Sequence, residues 1–452
     1  MNEYPSRAVI DLSAIRDNVA ALAARARTAE VMAVVKGDGY GHGLLPSARA
    51  AVAGGATWLG VAQIGEALEL RAAGLETAIL AWLYAPGAPL DRAVEADIDL
   101  SVAAPWALTE VVAAARSTGR TARIHVKVDT GLGRGGVMPD EFDALLDAAL
   151  AAQAEGAVRL VGLWSHLAWA DAPEHPTVVT QGEVFAEAIA RAERRGARFE
   201  VRHLANSAAT LTATAMHYDL VRPGLAVFGL SPIPRLAGPA DLRLRPAMRV
   251  EATLTLVKRV PAEHGVSYGH AYVTPEATVL GVVPLGYADG IPRHASGTRY
   301  RPGGPVQVGE RRLGVAGRVC MDQFVVDLGP GAREVAGDRV VLFGAGADGE
   351  PTAEDWARTV GTISYEIVTR IGSRVPREYV EVPDDVVAPG ASAAVAEGVS
   401  PGAPGAAPDA PDSAAPDGVP EAADGAPSVP KKKKKPARSA AEPKPVDGTG
   451  DA

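Results

Sequence analysis

Residues 31–43 read Val31-Met-Ala-Val-Val35 followed by Lys36-Gly-Asp-Gly-Tyr40-Gly-His-Gly43. An apolar run with no charge fits a strand buried on both faces, the kind that parallel sheets contain. The glycines after it permit positive φ and let the backbone approach a ligand closely. Seven further runs of this type follow: Thr57–Val61, Ala78–Leu83, Ile98–Val102, Ala122–Val128, Arg159–Trp164, Phe199–His203 and Asp219–Arg222. Ala-rich helical stretches separate them, as where Ala107, Val111, Val112 and Ala115 share one face that ends at Gly119. Eight βα units predict an α/β fold with a (β/α)8 TIM-like barrel over residues 1–238.

Beyond Leu242 the texture changes to alternating strands with Gly and Pro turns: Met248–Val260, Thr278–Leu285, Gly317–Leu328, Arg339–Phe343 and Tyr379–Val382. Short helices around Ala353–Val360 and Ser364–Ile371 interrupt them. This predicts a mostly-β C-terminal domain over 239–385. From 386 to 452 the chain is Ala, Pro, Gly, Asp and Ser with the run Lys431–Lys435, and this composition predicts a disordered tail. The lysine run reads as a solvated charge block, with a weak nucleic-acid or interaction tail as the sharper reading.

Composition bounds the function. The 452 residues are 47% hydrophobic and 22% charged, enough for full cores in two or three domains. One Cys excludes an intramolecular disulfide framework and a Cys-rich zinc module. A net charge of -9 disfavours nucleic acid or an anionic membrane as partner of the folded part. The start lacks a signal-peptide pattern and no apolar run is long enough to span a bilayer, so a cytoplasmic protein is expected. The nine histidines show no metal-ligand spacing such as H-E-x-x-H, and no metal is expected.

In a barrel of this type the chemistry lies at the carboxyl ends of the strands. That singles out Lys36, Lys127, His166, Asn206, Ser207 and Arg222. A lysine ending a strand is ordinarily a solvated charge. Here it follows a buried strand and precedes a glycine loop, where partial desolvation supplies a free amine suited to a Schiff base. A P-loop is excluded because the lysine precedes the glycines. Lys127 alternates with Ile124, Val126 and Val128 and so points to the opposite face, towards the barrel interior. A pairing with a core carboxylate is its plain reading. His166 alone would pass as a satisfied barrel histidine, and Arg134 as a surface arginine.

The run Val-Val-Lys36-Gly-Asp-Gly-Tyr40-Gly-His-Gly resembles the pyridoxal-phosphate attachment motif of alanine racemases. The resemblance continues through His-Val-Lys127-Val-Asp-Thr-Gly-Leu-Gly-Arg134, Ser-His166-Leu-Ala, Leu-Ala-Asn206-Ser207-Ala, Val-Arg222-Pro-Gly224-Leu225, Val-Ser-Tyr268-Gly, Gly-Tyr287-Ala-Asp289, Cys320-Met321-Asp322-Gln, Ser-Tyr365-Glu and Arg-Val-Pro-Arg377. It spans residues 4 to 380 in order. Gly37 departs from it, standing where the family commonly has Ala.

The resemblance implies pyridoxal 5'-phosphate on Lys36, with Tyr40, Asn206, Ser207, Gly224, Leu225 and Tyr365 around its phosphate. It places Arg222 at the ring nitrogen and His166 beside the catalytic tyrosine. A guanidinium keeps its proton, so the ring nitrogen stays unprotonated and the electron sink is weak, which favours reprotonation over transamination. Racemisation needs bases on both faces of Cα, and the resemblance supplies Lys36 and Tyr268. It also implies a carbamylated Lys127 that holds Arg134, an Arg134 facing the substrate carboxylate or the cofactor phenolic oxygen, a substrate carboxylate met by the Met321 N–H, and a homodimer in which Tyr268 and Met321 come from the partner subunit. Tyr287 and Tyr365 would narrow the entrance, and Asp289 and Asp322 would orient neighbours. The activity implied is interconversion of L- and D-alanine, supplying D-alanine for peptidoglycan. A racemase of broader range is the enzymatic alternative. A decarboxylase of the same architecture is disfavoured by Arg222, and a non-catalytic pyridoxal-phosphate carrier by Tyr268 and Met321.

Overall fold

The computed structural model describes residues 4–381. The tail read from residue 386 onward, with Lys431–Lys435, lies outside the described residues.

Eight parallel strands form one sheet: Glu30–Val34, Trp58–Val61, Ala78–Ala81, Asp99–Val102, Ala122–Lys127, Val158–Trp164, Val201–His203 and Leu220–Val221. Each falls on one of the eight runs read from the sequence. The last strand pairs with the first through Glu30 and Val31. The seventh and eighth meet through the Arg222 N–H, which donates to Ala205 O at 2.9 Å, and the sheet closes on itself. Helices return the chain between strands. Asp11 caps Leu12–Ala26 by accepting from Ala14 N at 2.9 Å, and Pro105–Thr118 starts on its proline and stops at Gly119, whose φ of 66° suits glycine.

Six barrel strands each send one apolar side chain into a shared cluster: Met32, Trp58, Leu80, Val161, Val201 and Leu220. The fourth and fifth strands bring Asp99 and His125 instead, Asp99 pairing in register with Leu80 and His125 lying edge-on to Trp58 at 5.5 Å. The barrel interior is therefore polar on one side.

The β-rich part carries a six-stranded sheet in the order Arg311–Gly314, Pro305–Val308, Arg339–Phe343, Met248–Thr253, Ser6–Asp11 and Arg377–Val380. Ser6–Asp11, which no sequence pattern had singled out, runs antiparallel to Met248–Thr253 and parallel to Arg377–Val380. Glu251 is buried in this sheet and met by Arg7, Arg249 and Arg339 at 2.6, 3.0 and 2.6 Å. Three guanidinium neighbours of opposite charge offset the desolvation of that carboxylate. The long run Met248–Val260 is two strands, because Leu256–Val260 turns away into a three-stranded sheet with Thr278–Val283 and Phe324–Asp327. Of Gly317–Leu328 only Phe324–Asp327 is strand, and Ala353–Val360 is helical as read. No helix among the described residues is long and apolar enough to cross a membrane.

Candidate active site

Lys36 follows the first barrel strand, which ends at Val34, and opens a turn of left-handed helix. Gly37, Asp38, Gly39 and Tyr40 have φ of 64°, 53°, 60° and 53°. Left-handed turns cost non-glycine residues energy, so surrounding contacts must hold this one. Leu44 N donates to Asp38 Oδ1 at 2.7 Å, and Arg377 donates from Nε and Nη2 to Gly41 O at 3.0 Å. Side chains at Gly41 and Gly43 would collide with Val368 O and Tyr379 Oη. The turn is thus stitched to the last segment of the described chain, with the Lys36 backbone at its root.

Four cations, Lys36 among them, converge on His166. The charges of Arg222, Arg134, Lys127 and Lys36 all bear on His166, which burial foremost, and those charges next, hold well below the ordinary imidazole value. Burial and then Arg134 lower the Lys36 amine, against Glu66. Burial, Arg222 and Arg134 lower Lys127 to about 8, with Asp129 opposing. Lys127 is buried with Nζ 4.3 Å from the Trp164 ring centre, on the inward face that its alternation predicts. Asp129 accepts from the N–H groups of Gly131, Leu132 and Gly133 at 2.8, 2.9 and 3.0–3.2 Å, shaping the loop that carries Arg134. Burial would raise the Asp129 carboxyl, and those donors outweigh it and hold it low.

Arg222 is 4% exposed. Its Nη2 donates to Ser165 O at 2.7 Å and lies 3.3 Å from His166 Nδ1, while Nη1 lies 3.2 Å from His203 Nδ1. Burial draws its guanidinium down to about 9, which still leaves it cationic at neutral pH. Beside it, Ser207 Oγ accepts from Gly224 N at 2.7 Å and Ala226 N at 3.3 Å, so its own proton is left to donate. A Cβ on Gly224 would stand 2.2 Å from Tyr40 Oη. Tyr40 and Tyr365 are ring neighbours at 6.2 Å, and burial raises both phenols, Tyr365 to about 12, so they remain donors. Asn206 spends its Oδ1 on Ala209 N at 3.1 Å and shapes the loop.

Tyr268 and Met321 stand apart from this group, 67% and 53% exposed on the β-rich part. Their loops are joined by Ser267 Oγ, which donates to Arg318 O at 2.7 Å. Arg374 holds the neighbouring loops by pairing with Asp289 at 3.1 Å and Asp322 at 2.8 Å, and Tyr287 N donates to Cys320 O at 3.0 Å. Sequence reading missed Asp99, His125 and His203, buried between the barrel strands. The signal was present, since His125 shares the parity of Lys127. Among the described residues no group of His, Cys, Asp and Glu could hold a metal ion.

Two buried imidazoles, His42 and His203, and the half-buried His166 give a pH test. Burial foremost lowers His42 to about 4 and pushes His166 and His203 well below the usual range. Unfolding returns each to about 6.5. The folded values are depressed, so the unfolded chain binds more protons below about pH 6.5. This stability is whole above that pH and is lost as pH falls towards 4. The expected result is an unfolding free energy, and with it a urea midpoint, that declines between pH 7 and 5, the free energy with a limiting slope of about 4 kcal/mol per pH unit for three protons. A flat midpoint would show that these rings are not held neutral.

Comparison with known proteins agrees with this geometry. Residues 10–232 match the family model "Alanine racemase, N-terminal domain" and residues 247–379 match "Alanine racemase, C-terminal domain". The chain is 65% identical over 378 residues to the alanine racemase of Beutenbergia cavernae, covering 83% of this chain and 98% of that protein. It is 59% identical over 380 residues to that of Streptomyces coelicolor, covering 83% and 96%. The crystal structure of alanine racemase from D-cycloserine-producing Streptomyces lavendulae superposes with a TM-score of 0.82 at 57% identity, covering 84% of this chain and 98% of that one.

Proposed function

The chain belongs to the alanine racemase family and is an isomerase, and from that premise we propose that it interconverts L- and D-alanine with pyridoxal 5'-phosphate held on Lys36. The observation that carries this is the gathering of the lowered Lys36 amine with Arg134, Lys127 and Arg222 around His166 at the carboxyl ends of the barrel strands. Such a site suits an anionic cofactor and a substrate carboxylate. The fit is specific at Gly224, where only the missing Cβ leaves room for the Tyr40 hydroxyl. Ser207, Tyr40 and Tyr365 are the donors for the phosphate, with the backbone N–H of Leu225; Gly224, whose N–H is given to Ser207 Oγ, contributes the room left by its missing side chain, and Arg222 faces the ring nitrogen. Asn206 supports that loop from behind.

When bound, the cofactor supplies an aldehyde that joins the substrate amine and a sink for the electrons left when the Cα–H bond breaks. Lys36, free as an amine, takes or returns the proton on one face of Cα. Tyr268 of the partner subunit serves the other face. His166 fits beside it: Nδ1 accepts from the donor-only Arg222, so Nε2 carries the proton and can donate to a phenol oxygen brought against it. Arg134 and Met321 of the partner subunit meet the substrate carboxylate. Lys127, lowered to about 8, holds enough neutral amine for carbamylation, and a carbamate there would anchor Arg134.

This reading entails a homodimer, because Tyr268 and Met321 are exposed in one chain and the site needs both. A division near residue 239 is supported by the change from the barrel sheet, which ends at Val221, to the next sheet, whose strand starts at Met248. We place the enzyme in the cytoplasm, supplying D-alanine for peptidoglycan, a setting in keeping with a single unpaired Cys320. The test is deuterium wash-in at Cα of each alanine enantiomer with purified protein and added cofactor. Label must enter both enantiomers as they interconvert; cofactor uptake without Cα exchange would make the protein a carrier.

A further inference from the structure

A hydrogen-bonded line of side chains crosses the inside of the barrel. Arg123 Nε donates to Asp99 Oδ1 at 2.6 Å. Asp99 Oδ2 lies 2.9 Å from His125 Nε2, His125 Nδ1 lies 2.8 Å from His203 Nε2, and His203 Nδ1 lies 3.2 Å from Arg222 Nη1. Asp99, His125, His203 and Arg222 are all buried. Asp99 begins its strand and Arg222 follows its own, so the line runs from the amino ends of the strands to the carboxyl ends, where Lys36 stands.

Donor capacity alone fixes where the protons sit. Arginine has only donors, so His203 Nδ1 accepts. A neutral His203 then carries its proton on Nε2 and donates to His125 Nδ1, and His125 in turn donates from Nε2 to the Asp99 carboxylate. The reverse arrangement would set N–H against N–H at Arg222. A charged His125 would donate from both nitrogens and ask His203 to accept at both, which a neutral ring cannot do. Burial, with the Arg222 charge behind it, keeps His203 neutral. The partners of Arg222 are His203, His166 and the carbonyls of Ser165 and Leu204, all neutral. The carboxylate at the far end of the line is Asp99, which is paired directly with Arg123 and reaches Arg222 only through the two imidazoles.

We propose that Asp99 and His125 are positioning residues that fix the tautomer of His203, and through it the direction of the N–H groups Arg222 has left for the cofactor ring nitrogen. The proposal rests on the role given to Arg222 above and adds two residues to it. Trp164 backs the line, stacked on His203 at 5.5 Å and lying under the Arg222 guanidinium at 4.9 Å, so His203 cannot swing to a second partner without losing that stack.

The tautomer is read by solid-state NMR of [15N]histidine-labelled full-length protein with pyridoxal phosphate bound, the His203 signal being assigned by its loss in His203→Gln. The expected pattern is a proton on Nε2 and a bare Nδ1, unchanged from pH 6 to 9. Asp99→Asn should reverse the line. Arg123 keeps the amide oxygen, the amide NH2 faces His125, and His203 is driven to carry its proton on Nδ1, where it opposes the Arg222 N–H and breaks the Arg222–His203 hydrogen bond. In that variant kcat should fall about tenfold for both enantiomers, the effect of losing one charge-assisted hydrogen bond, with KM changed less than about twofold. A wild-type His203 protonated on Nδ1 or on both nitrogens would overturn the proposal, even if the variant does not fold. So would a folded variant whose His203 pattern or kcat is unchanged. Protein that shows the expected pattern but takes up no pyridoxal phosphate would support the line and sink the cofactor reading instead.

Discussion

Lys36→Ala protein folds, takes up pyridoxal phosphate weakly, and racemises alanine about 10^4-fold more slowly or worse, because one side chain supplies both the covalent anchor and a proton-transfer group. The loss should be chemical, since Lys36 is only half-buried at the barrel mouth and its removal opens no core cavity. Its unfolding free energy should stay within about 1 kcal/mol of wild type. Borohydride reduction followed by peptide mapping gives the decisive readout: one pyridoxyl adduct, on Lys36, in the wild type and none in the variant. Lys127 is the internal control. It is also a lowered amine in the same site, yet its Nζ lies over the Trp164 ring and near the Cβ position of Gly135, at 4.3 and 3.6 Å. An adduct that moves to Lys127, or activity above about a tenth of wild type, would place the reactive amine elsewhere.

The barrel was legible because strands buried on both faces write themselves as unbroken apolar runs, and each of the eight runs lies on an observed strand. Lys127 was legible too, since a period of two assigns a face without knowledge of neighbours. Partners were harder to read. Ser6–Asp11 carries only a three-residue apolar run, Ala8–Ile10, and its pairing with residues more than two hundred positions away depends on a sheet the local sequence does not describe. Asp99, His125 and His203 fall under the same limit: each is a polar residue in a strand, and only the closing of the barrel brings them within hydrogen-bond reach. The glycines at 37 and 39 announced a turn with positive φ, whereas the left-handed Asp38 and Tyr40 follow from the clamp by Arg377 and the Asp38 side chain, which no window of residues shows.

Tyr268→Phe should lower turnover by about 10^3-fold, again as the loss of a general acid–base group. Its effect on proton exchange should differ between L- and D-alanine, because only one face of Cα loses its base. The backbone around Tyr268 already bears the mark of a site under constraint: Ser267, Gly269 and His270 have φ of 61°, 66° and 43°, although the phenol itself is 67% exposed. Strain of this kind persists where neighbouring structure imposes it, and Ser267 is tied to Arg318 beside Met321. A strained loop that presents a tyrosine to solvent makes sense if a second chain receives it. Mixing inactive Lys36→Ala chains with inactive Tyr268→Phe chains tests this directly. If each site takes Tyr268 from the partner subunit, a mixed dimer has one site lacking both groups and one site with both intact. Random exchange makes about half the dimers mixed, so the mixture should recover about a quarter of wild-type activity. If Tyr268 served its own chain's Lys36, every site in every dimer would lack one group, and verified mixed dimers would stay inactive.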